Sequence, residues 1–459
     1  MPTSILHLKP EDVDGMEKRQ KYTISIIDCG RIGVLHACLL AEAGFKVIGF
    51  DANRAITNYL ARGKAHFLKR EIQPLLKKHV KNGDLKITSD IETAVAQSDV
   101  VVVTTSVKID EKKKPNYSDI ERVCKWVGSR LRRDSLVIVT GVVGLGITDG
   151  LIREILENTS GFKARVDFGL AYSPLRVLDK ETLEEIASCK RIVAATDQNS
   201  LNAASTVLET AAKNGVIRTN DVRTAEAATL FGAAQHEINF ALANEFALFC
   251  EKAGIDYLKA QKLAEMTEHD ALALPTLTYG NVHKEPYLLL EEAENSNAKL
   301  RIPTTAKEIN KEILKHAISL IRKALRRCGK PLKRAKISLL GISQTPNTKD
   351  TPKISTKKLA KMLEAKGAKV SLYDPYLSSK ELADFGYPFK KSLTGAVEGA
   401  DCIVILTSHE QFKRLNLRKL KVMTKMPAAI VDFEGVIEPE KVERQGFIYR
   451  GLGRGVWAK

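Results

Sequence analysis

The chain has 459 residues, 44% of them hydrophobic and 28% charged, enough for two or three domains with full apolar cores. No stretch approaches about 18 uninterrupted apolar residues, so no membrane-spanning helix is expected. The net charge of +17 is lopsided: from residue 301 onward 33 Lys and Arg stand against 15 Asp and Glu, while the first 300 residues hold 39 against 40. A basic C-terminal third predicts a polyanionic partner, whether nucleotide diphosphate, nucleic acid or anionic membrane, with a merely solvated basic face as the alternative. Few aromatics interleave with the lysines, which argues against a single-strand stacking platform. The seven cysteines show no metal-binding or redox spacing, so no metal site is expected, and an odd, scattered set fits buried thiols in a reducing cytoplasm.

Residues 1–21 are polar and mixed in charge, unlike a secretory signal, and read as a loosely held leader. Tyr22 to Ile27 is an apolar, β-branched run, followed by Asp28-Cys29-Gly30-Arg31-Ile32-Gly33, a helical stretch, and a second strand from Lys46 that ends at Asp51. This is the outline of a dinucleotide-binding βαβ unit, in which turn backbone meets a pyrophosphate at a helix N-terminus. Gly30, Arg31, Ile32, Gly33 and Asp51 are therefore the candidate cofactor-binding residues. Asp51 is placed to accept hydrogen bonds from an adenosine ribose and to repel a 2′-phosphate, which favours NAD over NADP. The first of the three expected glycines is Asp28, whose side chain falls beside the phosphates. Arg31 offsets that charge, or the unit has kept its packing and lost its ligand.

Val100 to Val103, Leu136 to Val139 and Arg191 to Ala194 read as buried parallel strands, and Lys108 to Pro115 as a charged loop. From about Val222 the pattern turns helical. Ala225 to Cys250 is alanine-rich, lacks proline and ends at Ala253-Gly254, a C-terminal signal. Residues 304–330 predict a second long helix. A further α/β unit follows: strands from Lys336, Ala368, Asp401 and Ala429, with a helix over Ser355 to Lys366. The expected architecture is α/β, with two Rossmann-like doubly wound domains joined by a helical middle region with a long central helix. The expected divisions are a leader (1–21), an N-terminal NAD-binding Rossmann-like domain (22–215), a helical central region (216–330) and a C-terminal Rossmann-like domain (331–459).

On these residues the chain resembles the nucleotide-sugar dehydrogenases, including UDP-glucose and UDP-N-acetylmannosamine 6-dehydrogenases. The resemblance rests on Ala43 to Asp51, Ala241 to Asp256, Glu285-Pro-Tyr-Leu288, Pro346-Asn-Thr348, Tyr373-Asp-Pro-Tyr376 and Ile448 to Gly455. It implies a homodimer through the central helix, NAD on the first domain and a UDP-sugar between the two, with a place in polysaccharide biosynthesis. It also implies oxidation of a C6 alcohol to a carboxylate by two hydride transfers, with a cysteine thiolate trapping the aldehyde. The family's chemical positions are substituted here. Its cysteine slot is Asn281, its helix lysine Thr229, its asparagine one turn later Ala233, and its glutamate after the Ser173-Pro174 turn Leu175. Val142, Thr345 and Pro352 fill a threonine, a basic and an arginine slot.

His236, His283, Lys284 and Glu285 are candidates for a rewired acid/base site, with a polar helix residue and a surface loop as the plainer alternative. Three functions stay open on the residues. They are a working NAD-dependent oxidoreductase, a silent homologue that binds a nucleotide or an active relative as regulator or partner, and a polyanion binder on the basic third.

Overall fold

The computed structural model describes residues 3–65, 72–110, 112–175, 183–267, 272–277, 285–348, 352–378 and 386–457. The chain divides into two compact units, Met1–Ala234 with Lys284–Lys299, and Gln235–His283 with Leu300–Lys459.

The first unit is built on β1 Thr23–Ile27, β2 Lys46–Phe50, β3 Leu85–Thr88, β4 Val100–Val103, β7 Leu136–Val139, β8 Gly169–Tyr172, β9 Arg191–Ala195 and β10 Val216–Thr219. The segment expected as a charged loop instead forms a short antiparallel ribbon of β5 Lys108–Ile109 and β6 Pro115–Asn116. The main sheet runs β3-β2-β1-β4-β7-β8-β9-β10 and is parallel except where β8 meets β9. Its run β3-β2-β1-β4-β7-β8 has the 3-2-1-4-5-6 order of a doubly wound dinucleotide fold, in which ligands enter at the carboxyl ends where strand order reverses. Here that point lies between β1 and β4. All four residues of β4 and of β7 are buried, which is why both read as unbroken apolar runs.

The opening residues, expected to be loosely held, are packed. Ile5, Leu6, Leu8 and Val13 are buried in the core of this unit. Arg19 fastens the segment by donating to the carbonyls of Val13 (2.5 Å) and Ala43 (2.9 Å). Four apolar residues scattered among charges were enough to dock it.

In the second unit β11 Lys336–Leu340, β12 Lys369–Tyr373, β13 Cys402–Ile405, β14 Ala429–Asp432 and β15 Ile448–Gly451 make an all-parallel sheet in the order β12-β11-β13-β14-β15. This 2-1-3-4-5 order is the other common doubly wound arrangement, with its switch point between β11 and β13. Helix Arg301–Arg327 covers the sheet with an apolar stripe that includes Ile313, Leu314, Ala317, Ile321 and Ala324.

Residues 216–330, expected as a helical middle region, begin with β10 and continue in helices Val222–Ala253, Tyr257–Thr267, Glu285–Asn295 and Arg301–Arg327. They contribute to both units. The first strand of each sheet starts on the same lock. Thr23 N donates to Asp99 Oδ2 in one unit and Lys336 N to Asp401 Oδ2 in the other, both at 2.8 Å.

Candidate functional site

In the first unit the chain leaves β1 through Asp28, which adopts φ 78°. Few non-glycine residues enter that left-handed region, and aspartate is among the more tolerant. Its backbone N–H reaches Phe50 O at 2.9 Å, and its carboxylate accepts the Thr105 hydroxyl at 3.1 Å. Gly30 then caps helix Arg31–Glu42, whose first turn holds Arg31 and Ile32. Gly33 cannot carry a side chain, because a Cβ there would lie 2.1 Å from Asp28 O. A Cβ on Gly30 would meet only Asp28 Oδ1, at 3.8 Å. The opening over Gly30 thus has the shape for a diphosphate against a helix N-terminus, and the Asp28 carboxylate stands at its edge.

Asp51, at the end of β2, is buried and accepts the N–H groups of Cys29 (3.2 Å) and Asn53 (2.8 Å). Each of its oxygens holds one backbone bond and keeps room to accept a ribose hydroxyl. Burial raises its pKa against the pull of those N–H groups. Burial, and then the neighbouring Asp51, raise that of Asp28.

Glu226, on helix Val222–Ala253, was not singled out from the sequence. It is fully buried and accepts Gly146 N at 2.5 Å and Thr148 N at 2.9 Å, capping from a distance the helical segment that follows β7. Burial raises its pKa. The intervening glycine loop packs tightly, since a Cβ on Gly144 would lie 2.5 Å from the Tyr117 hydroxyl. Val142 is half-buried in that loop.

In the second unit the same turn is built with glycine. Gly341 has φ 81°, and a Cβ there would lie 2.8 Å from Thr407 Cβ. Asp374 ends β12 and accepts Ile342 N (2.7 Å), Ser343 N and Tyr376 N (both 2.8 Å). The fully buried His409 completes the cluster. Its Nδ1 accepts Asn347 N at 2.9 Å, so the proton sits on Nε2, which lies 3.1 Å from Ser343 Oγ and 3.3 Å from Asp374 Oδ2. Burial pushes the Asp374 carboxyl up, but the His409 hydrogen bond and the N–H groups outweigh it and hold it at about 2. Beside the switch point Lys353 Nζ donates to Leu406 O at 2.7 Å and lies 3.6 Å from Glu434, over a narrow pocket also lined by Thr356 and Leu359.

The residues that the sequence reading assigned to the family's chemical positions are engaged in the fold. Thr229 is buried and donates its hydroxyl to Ala225 O at 2.9 Å. Ala233 and Leu175 are buried. His236 is half-buried and edge-on to Phe240, with ring centroids 4.6 Å apart. Glu285 opens helix Glu285–Asn295. Asn281, His283 and Lys284 lie outside the described residues. Among the described residues no group of His, Cys, Asp and Glu has the makings of a metal site.

Three profiles of one family cover most of the chain. The NAD binding domain of the UDP-glucose/GDP-mannose dehydrogenase family matches residues 22–212, its central domain 223–312 and its UDP binding domain 338–439. A UDP-N-acetyl-D-mannosamine dehydrogenase of Pyrococcus horikoshii is 30% identical over 435 residues, 94% of this chain and 99% of that protein.

The chain belongs to the UDP-glucose/GDP-mannose dehydrogenase family.

A second family relative, a UDP-N-acetyl-D-mannosamine dehydrogenase from Methanocaldococcus jannaschii, is 27% identical across 96% of the chain and 98% of its own length. The solved structure of the Pyrococcus horikoshii UDP-D-ManNAc dehydrogenase superposes with a TM-score of 0.85 at 29% identity, covering 95% of this chain and all of that one. As a dehydrogenase-family chain it carries an NAD-binding first domain and a UDP-binding later one, so a nucleotide sugar is its class of partner. No helix among the described residues is long and apolar enough to cross a membrane.

Proposed function

We propose that this chain holds NAD over the Gly30–Gly33 turn and a UDP-sugar at the crevice of its second unit, and that it has given up the family's four-electron oxidation. The observation that carries this reading is the fate of the chemical positions. Thr229 has spent its hydroxyl, Ala233 has none, and Leu175 packs in the core. Six of the seven cysteines are buried, and burial raises the pKa of each of the six, so none of these six stands ready as a replacement thiolate. A protonated thiol is not a nucleophile. Asn281, in the cysteine slot, cannot form a thiohemiacetal.

The chain then acts as a nucleotide-sugar-binding regulator or partner of an active dehydrogenase in the supply of polysaccharide precursors. Self-association is part of this reading. Leu242, Phe246 and Phe249 are 41%, 41% and 61% exposed at helical spacing on Val222–Ala253, an apolar stripe that suits a second copy. Phe246→Glu is expected to shift the assembly to monomer in light scattering.

The test is to incubate the full chain with NAD and a panel of UDP-sugars, beginning with UDP-N-acetyl-D-mannosamine, while following absorbance of reduced cofactor and thermal midpoint together. A raised midpoint without reduction is expected, since ligand binding to the folded state stabilises it. Stoichiometric NAD reduction overturns the proposal.

A further inference from the structure

In an all-parallel sheet every strand begins at one edge, and in the second unit that edge carries a cluster of exposed cations. The loops there interlock: Arg334 N donates to Gly367 O (2.6 Å), Gly399 N to Met423 O (2.7 Å) and Lys425 N to Ala400 O (3.0 Å). Lys333, Arg334, Lys336, Lys369, Lys421 and Lys425 are all exposed along it. None forms an ion pair among the described residues. The edge's buried acid, Asp401, is already engaged by Lys330 Nζ and Lys336 N, both at 2.8 Å. The exposed acids beside it include Glu364, Glu398 and Glu443, the last in the turn that packs beside Lys421.

These cations do not serve the nucleotide. The crevice lies at the opposite ends of strands four or five residues long, about 13–16 Å away. That exceeds the screening length of about 8 Å at physiological salt. The cluster needs another partner.

We infer that this edge is a docking surface for an anionic lipid bilayer. Three observations choose lipid over nucleic acid. Five of the six cations are lysines, flexible point charges suited to a diffuse headgroup field, whereas phosphodiester recognition favours the bidentate fork of arginine. The six come with no interleaved aromatic side chain for base stacking. Val422 is 85% exposed between Lys421 and Lys425, and Pro331 and Pro427 are exposed nearby, giving apolar points amid charge as at membrane interfaces.

The intact chain is sedimented with vesicles of phosphatidylcholine alone and with vesicles containing phosphatidylglycerol, and titrated in parallel against duplex DNA. Binding to the anionic vesicles at low salt, lost at high salt and absent from neutral vesicles, is expected. The triple variant Lys369→Gln, Lys421→Gln, Lys425→Gln should bind roughly a hundredfold more weakly, at about fivefold per cation near the surface. Its thermal midpoint should not change, because these side chains are exposed and unpaired. Val422→Asp should weaken the variant-free surface further. Binding unaffected by the triple variant, equal binding to neutral vesicles, or tighter binding to duplex DNA overturns the inference.

Discussion

Asp51 and Asp374 hold the same post in their respective units: each ends the second strand and each takes a backbone N–H from the turn that leaves the first. The units diverge at the residue that opens that turn. Gly341 is bare because Thr407 occupies the space of its side chain. At the matching place Asp28 points its carboxylate at the Thr105 hydroxyl instead.

Asp28→Gly tests that divergence. Glycine adopts φ near 78° at no steric cost, against about 1–2 kcal/mol for other residues, and the acid beside the diphosphate opening disappears. NAD should bind about tenfold more tightly by calorimetry. In the parent chain the raised pKa of Asp28 means that NAD affinity rises as pH falls toward it, while the variant shows no such rise. Equal affinities with parallel pH profiles would remove Asp28 from any role in cofactor binding.

Asp374→Asn should destabilise the second unit by roughly 2 kcal/mol at neutral pH, from the displacement of its pKa to about 2. The sign follows from the depressed value. The contribution is present above the ordinary aspartate pKa and is lost as pH falls through about 2. Urea melts of parent and variant should therefore differ at pH 7 and converge in strong acid. A constant gap across that range would contradict the assignment.

Glu226→Ala leaves the Gly146 and Thr148 N–H groups without their carboxylate. A loss of roughly 2–4 kcal/mol is expected in denaturant melts, with Glu226→Gln intermediate. A neutral alanine variant would show that water replaces the carboxylate at no cost.

Gly33→Ala forces a methyl onto Asp28 O and should cost about 3 kcal/mol or more. Gly30→Ala meets open space, so its stability should stay near the parent's while NAD affinity falls. Comparable melting losses in both would refute the division of labour between these two glycines.

On the proposed reading, in which Thr229, Ala233 and Leu175 fill the other chemical slots, Asn281→Cys alone should yield no four-electron oxidation of a UDP-sugar. Carboxylate formation by the single variant, followed by mass spectrometry, would defeat the proposed silence.

The legible parts of the fold were those that bury both faces of a strand. β1, β4, β7, β13 and β14 announce themselves as apolar runs. β10 does not: Val216 to Thr219 has no buried residue and only its sheet pairing defines it. The docking of residues 3–21 was illegible because its four anchors follow no period. At the candidate site the glycine turn and Asp51 could be read from local spacing. Glu226 and His409 could not, since their partners lie far along the chain, 78 and 80 residues from Glu226 and 35 to 66 residues from His409. A carboxylate on an alanine-rich helix was the one available sign of the former.

The sealed thiols turn this chain into its own unfolding clock. Cys38 and Cys124 are held protonated up to about 12, and only Cys189 is partly open to solvent. Alkylating reagents should therefore mark Cys189 promptly and reach the other six only when a unit opens, so the order of labelling reports which half gives way first.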